Sequence, residues 1–149
     1  MRSRIVILAA IGLLTGCGGS GKPETTACGT VDRGVIPSWA RTGFSEAAPK
    51  VPHVDGRRGE ITAILFGDIL SSPPAVDRSN KILWVSKDVW QGVTDLKIRA
   101  VDGKDVVERK VPGGPGPSNI DLPHAGCWHL TLRWADRQDT LSLRYRSRS

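Results

Sequence analysis

The sequence predicts an all-β fold, an antiparallel sandwich of about seven short strands. The 17 glycines and 10 prolines make up 27 of the 149 residues, which suits short strands and many turns better than a helical core. From residue 60 onward, short apolar or alternating segments recur at roughly ten-residue spacing, and no helical period exceeds two turns. This regular spacing favours a sandwich over a parallel α/β sheet, with a small barrel as the alternative.

The residue pattern of each segment predicts its strand. The first two are mostly apolar, and the third and the last two alternate apolar with polar residues, as strands with one wet face do. Asp102-Gly103 is a hairpin signal, and Ala135–Gln138 is expected to be a turn. The seven predicted strands are Glu60–Phe66, Lys81–Lys87, Asp95–Val101, Asp105–Val111, Ser118–Leu122, Cys127–Trp134 and Asp139–Tyr145. The breaker-rich connections Ser71–Asn80, Trp90–Thr94 and Pro112–Pro117 are expected to be the loops that carry a binding surface.

The first sixteen residues are predicted to be a signal peptide. Two arginines precede the uncharged run Ile5–Leu14, which as a helix is about 15 Å long, half the hydrocarbon thickness of a bilayer. The following Leu14-Thr15-Gly16-Cys17 resembles the bacterial lipoprotein box. That resemblance implies a diacylglyceryl thioether on Cys17, cleavage before it and a cell-membrane location on the extracytoplasmic face. The alternatives are a secreted protein with a stray cysteine or a short retained anchor.

A tether and one domain are expected after the leader. Residues 17–27 comprise the lipidated cysteine and a segment that contains no large apolar residue; its part Gly18–Thr26 has a random-coil reach of about 15–18 Å. Residues 28–149 form the single domain, in which 28–59 is irregular. Within it Pro37–Gly43 is expected to make one or two helical turns, packed onto the domain by Trp39 and Phe44.

The charge balance is mildly basic. The formal net charge is +6, and removal of residues 1–16 takes away two arginines, leaving 19 basic and 15 acidic residues, a net +4. An exported chain makes nucleic acid a poor partner, whereas anionic lipid head groups or wall polymers are compatible. Because cations and anions alternate along the chain, solvated surface charge is the favoured interpretation. The one local excess is Arg144, Arg146 and Arg148.

Several short segments carry a family resemblance that covers about residues 30–145. The last two strands resemble the closing hairpin of an immunoglobulin-like domain. Further segments resemble those of small actinobacterial lipoproteins with such a domain: Pro37–Ala40, Asn80–Val85, Gly113–Ser118, Gly126–Trp128 and Asp139–Leu141. The resemblance implies an immunoglobulin-like sandwich at the cell surface and implies no activity.

Three cysteines fit an exported lipoprotein. With Cys17 lipidated, Cys28 and Cys127 remain, and two cysteines left in an oxidising compartment most simply pair. Cys127 lies on the polar side of its strand, so the bridge should clamp the irregular segment to the outside or an edge of the sandwich. A redox pair is the alternative, although the chain contains no CxxC.

No sequence motif for catalysis or cofactor binding is present. The chain contains no G-x-S-x-G, P-loop, GxGxxG, H-E-x-x-H or EF-hand pattern. We therefore expect no catalytic residue, no metal and no cofactor. A metal site on His124, His129 and Asp121, or a hydrolase carboxylate pair, stays as an alternative. Ionisable groups, His53 among them, are expected on turns, with almost none on inward strand positions. The candidates for a hydrolase carboxylate pair are Glu60, Asp68, Asp77, Asp88 and Asp121.

Five tryptophans offer a second functional hypothesis. Trp84, Trp128 and Trp134 lie on apolar strand faces and are expected in the core. Trp39 and Trp90 lie outside clear strands, so they are the candidates for a flat platform that binds wall glycans. The favoured function is a lipid-anchored binding or structural module with a wall polymer or a protein as partner; a glycan-binding module and a hydrolase are the alternatives.

Overall fold

In the part of the chain that the structure describes, nine strands form two sheets that pack face to face, so the prediction of an all-β sandwich is confirmed. The structure is a computed structural model that describes residues 28–88 and 94–148. The predicted signal peptide, Cys17, the predicted tether and Trp90 lie outside the described residues. The strands are β1 (His53–Asp55), β2 (Ile61–Leu65), β3 (Leu70–Ser72), β4 (Lys81–Ser86), β5 (Leu96–Asp102), β6 (Asp105–Val111), β7 (Pro117–Asn119), β8 (Gly126–Trp134) and β9 (Arg137–Ser147).

One sheet has the order β1-β2-β4-β7 and the other β3-β9-β8-β5-β6. Every pair is antiparallel except β3–β9, which is parallel. The main core lies between the sheets and contains the alternating apolar residues of β5, β8 and β9. Trp84, Trp128 and Trp134 are buried there, as predicted. Buried polar tips find partners: the Tyr145 hydroxyl donates to the Ile120 carbonyl at 2.6 Å.

A second, smaller apolar cluster explains why β2 is buried on both faces. Ile61, Ala63 and Leu65 point into the main core, whereas Ile64 packs with Ile36 and Ala40. The part of segment 28–52 from Ile36 to Val51, which contains a 3₁₀ turn at Ser38–Ala40, thus packs on the outer side of the four-stranded sheet. Trp39 and Phe44 pack against this cluster, which confirms the predicted anchoring of that turn.

Four local expectations differ from the structure. Segment 28–59 contains β1, and the predicted loop Ser71–Asn80 begins within β3. The predicted strand Ser118–Leu122 is β7 at Pro117–Asn119. The turn after β8 takes only Ala135 and Asp136, with Ala135 at a φ of 47°, and β9 begins at once. Strands β1, β3 and β7 have three residues each, too few to show a sequence period.

Asp139 corrects the expectation that inward positions carry almost no ionisable groups. Its side chain is fully buried at an inward position of β9. The carboxylate accepts backbone N–H bonds from Arg58 at 2.9 Å, Glu60 at 2.9 Å and Thr140 at 2.7 Å. Asp139 therefore fastens the β1–β2 turn to the second sheet, and its role is structural.

Candidate functional site: a basic groove on the outer sheet face

The outer face of the five-stranded sheet is strongly basic. The outward positions of β5, β8 and β9 hold no carboxylate in the described residues, and β6 adds one, Glu108, directly opposite Arg99. They do hold five cations: Lys97, Arg99, Arg133, Arg144 and Arg146. The strand register therefore gathers on this face cations that are far apart in the sequence.

The cations are densest around an open groove of about 420 Å³. We define the basic groove by its side chains Lys97, Arg99, Lys110 and Arg133. In the strand register Lys97 lies directly opposite Lys110 on one side and Arg133 on the other. Like charges directly opposite each other destabilise a sheet, so an anion beside this row stabilises it.

Two carboxylates lie at the basic groove: Glu108 lines it opposite Arg99, and Asp95 lies beside Lys110. Lys110 Nζ lies 3.0 Å from an Asp95 carboxylate oxygen, and Arg133 Nε donates to the Gln138 side-chain oxygen at 2.7 Å. A backbone N–H from Gly113, and then Lys110, hold the pKa of Asp95 below its usual value. Lys97 and Arg99 make no hydrogen bond or salt bridge within residues 28–88 and 94–148. These two side chains are the ones available to an anionic ligand.

A second group of cations lies at the opposite end of the same sheet. The arginine patch consists of Arg33, Arg78, Arg144, Arg146 and Arg148, which line two adjoining depressions of about 300 Å³ each. Arg146 and Ile69 line both depressions, so the patch is continuous.

The disulfide is at the same end as the arginine patch. Cys28 and Cys127 are bonded, with 5.5 Å between their Cα atoms, as predicted. Cys127 occupies an outward position of β8, and Cys28 lines a depression beside Arg144 and Arg146. The bridge therefore fixes the start of the folded domain on the outside of the sandwich, as expected, and next to the arginine patch.

The three histidines lie apart and have separate partners. His53 is buried and donates from Nδ1 to the Val51 carbonyl at 2.8 Å, so its expected place on an exposed turn is wrong. His129 shares a 2.7 Å hydrogen bond with Ser142 on the outer face. His124 contacts Asp105 at 2.9 Å and the Ala125 carbonyl, which together raise its pKa, the carbonyl having the larger effect.

The residues of the alternative metal site do not come together. Asp121 accepts a 2.8 Å hydrogen bond from the Asn80 amide and has no contact with His124 or His129. In the part of the chain that the structure describes, no three His, Cys, Asp or Glu residues could hold a metal ion. Trp39 is half-buried against the second cluster, and its proposed platform partner Trp90 lies outside the described residues.

Comparison with known proteins finds no relative of this chain. No protein-family model, curated protein or solved structure matches the chain. Among residues 28–88 and 94–148 we find no helix with the length and apolar character needed to cross a membrane. The geometry of the basic groove is therefore the ground for naming it the candidate site.

The sequence alone does not reveal the basic groove, because only the register of β5, β6 and β8 brings Lys97, Lys110 and Arg133 side by side.

Proposed function

We propose that this chain is a lipid-anchored module on the extracytoplasmic face of the cell membrane that binds an anionic wall polymer at the basic groove. The observation that carries the proposal is the row in which Lys97 lies between two further cations. A phosphate-bearing polymer would neutralise this row and satisfy the free donors of Lys97 and Arg99. The proposal assigns the chain no catalytic step and no cofactor.

The location rests on the leader and the disulfide. The lipoprotein-box resemblance at Leu14–Cys17 supports export and anchoring, and a disulfide across 99 residues persists in an oxidising compartment. We also propose that the domain is an immunoglobulin-like sandwich, because its strand order matches that fold. Strands β2-β4-β7 follow the order A-B-E of that fold, β9-β8-β5 follow G-F-C, and β6 takes the place of C′.

Fatty-acid labelling tests the anchor. In a host that processes lipoproteins, the natural chain should incorporate a labelled fatty acid, and Cys17→Ser should abolish the label. A processed chain should begin at residue 17. Unchanged labelling of the Cys17→Ser variant would contradict the lipid anchor.

Binding of tripolyphosphate, a compact polyanion, tests the basic groove. Residues 28–148 hold every described strand and the disulfide, so a chain that begins at Gly18 retains the folded domain. Calorimetry on this chain should show binding that Lys97→Gln/Arg133→Gln weakens about tenfold, since each exposed charge pair contributes roughly 0.5–1 kcal/mol. The matched control, Arg144→Gln/Arg146→Gln, removes the same charge from the same sheet and should have little effect. Equal losses in the two variants would show that net charge, and not the basic groove, binds the probe.

A further inference from the structure

We propose that the arginine patch is a membrane-contact surface that binds the anionic lipid head groups of the bilayer carrying the anchor. This inference rests on the proposed lipid anchor but concerns a different surface from the basic groove. The patch joins five arginines with one neighbouring carboxylate, Asp68, which lies 3.7 Å from Arg33.

The disulfide determines which end of the domain faces the anchor. Because Cys28 is bonded to Cys127 near the start of β8, the ten residues between Cys17 and Cys28 join the domain beside Arg144 and Arg146. Ten residues span at most about 35 Å even when fully extended, so this end stays close to the bilayer. The basic groove lies at the other end of the sheet, where Arg133 pairs with Gln138, six positions before Arg144 on β9. It would therefore face away from the membrane.

The arginines of the patch are available to a partner. Arg144 and Arg146 are exposed and make no side-chain hydrogen bond or salt bridge with any described residue. Arg148 donates only to the Pro74 carbonyl, at 3.3 Å. Guanidinium groups bind phosphate through paired N–H donors, and polybasic segments near a membrane are attracted to anionic lipid within a Debye length.

An exposed apolar side chain lies among the same arginines. Ile69, which lines both depressions, is 40% exposed. Apolar side chains bordered by cations suit the boundary between head groups and acyl chains, where both kinds of group find a partner.

Vesicle sedimentation tests the inference with the chain that begins at Gly18. This chain should bind vesicles of phosphatidylglycerol and phosphatidylcholine in equal parts, and added salt should weaken that binding because it screens the charges. Vesicles of phosphatidylcholine alone should bind little. Arg144→Gln/Arg146→Gln should reduce the partition coefficient about 25-fold, roughly fivefold for each arginine.

The groove variant Lys97→Gln/Arg133→Gln is the matched control, because it removes the same charge at the other end of the sheet. Its partition coefficient should stay about tenfold above that of the patch variant, Arg144→Gln/Arg146→Gln. Any of three results would overturn the inference. The two variants could lose vesicle binding equally, or the natural chain could show no preference for anionic vesicles. The third result is a patch variant that loses tripolyphosphate binding but keeps vesicle binding. Fatty-acid labelling reports on the anchor separately, so a labelled protein that fails the vesicle test refutes only this membrane contact.

Discussion

Replacement of Asp139 should destabilise the domain more than any exposed charge does. This carboxylate is fully buried, and it accepts three backbone N–H bonds from Arg58, Glu60 and Thr140. One oxygen serves Arg58 and Thr140, and the other serves Glu60. Its packing against Gly56 leaves no room for a Cβ there. Hence Asp139 holds the β1–β2 turn to β9, together with one backbone bond from the Arg57 N–H to the Thr140 carbonyl at 2.8 Å.

The expected loss of stability follows from which carboxylate oxygen of Asp139 accepts each hydrogen bond. In Asp139→Asn the amide oxygen can keep the bonds to Arg58 and Thr140, but the amide nitrogen then faces the Glu60 N–H, donor against donor. One hydrogen bond to a charged group is lost, about 1.5–3 kcal/mol. Asp139→Ala loses all three acceptor contacts and leaves the donors unpaired, so we expect about 4–5 kcal/mol.

Urea unfolding followed by tryptophan fluorescence measures both variants, since the core contains three buried indoles. Asp136→Asn is the matched control: it makes the same chemical change three residues earlier, at a side chain that is 89% exposed, and should cost less than about 0.5 kcal/mol. A loss below about 1 kcal/mol in Asp139→Ala would refute the argument that this carboxylate joins the two sheets.

Two further predictions concern the disulfide and His124. Cys28→Ser/Cys127→Ser should lower the free energy of unfolding by about 4–5 kcal/mol, because the bridge closes a loop of 99 residues and restricts the unfolded chain. The raised pKa of His124 means that the folded state favours its charged form, since both ring nitrogens face acceptors, at Ala125 and Asp105. This contribution to stability is complete below the unfolded pKa of 6.5 and is lost as the pH rises through the folded value.

Urea midpoints measure each effect. For the disulfide, the natural chain under reducing conditions is the control and should match the double serine variant; equal stability of the oxidised and reduced chains would contradict the prediction. For His124, Asp105→Asn removes the negative charge that favours the protonated ring, so it should flatten the decline in stability above pH 6.5. A decline of the same steepness in the Asp105→Asn variant would assign it to another group.

Local patterns predicted every described strand of five or more residues. Alternation located the inward faces of β8 and β9, and Asp102-Gly103 located the turn between β5 and β6. Strand β3 was missed because it has three residues and pairs in parallel with the end of β9, more than 70 residues later. A parallel partner at that distance leaves no local signal.

The candidate site was harder to predict than the fold. Lys97 and Arg133 lie on strands whose alternation was read correctly, but only the pairing of β5 with β8 makes the two cations neighbours. Asp139 was missed for a related reason. It has the inward parity of Leu141, yet its partners Arg58 and Glu60 lie about 80 residues earlier, in a turn that has no period of its own.

The Cys28–Cys127 bond also decides how the domain bears a mechanical load. A pull on the chain before residue 28 does not peel segment 28–52 from the sandwich, because the force passes through the sulfur atoms into β8. Strand β8 is held by hydrogen bonds to β5 on one side and β9 on the other, so the load is shared between two ladders in the middle of the sheet. The domain would thus resist stretching with its strongest strands and leave the second cluster, around Ile36, unstrained.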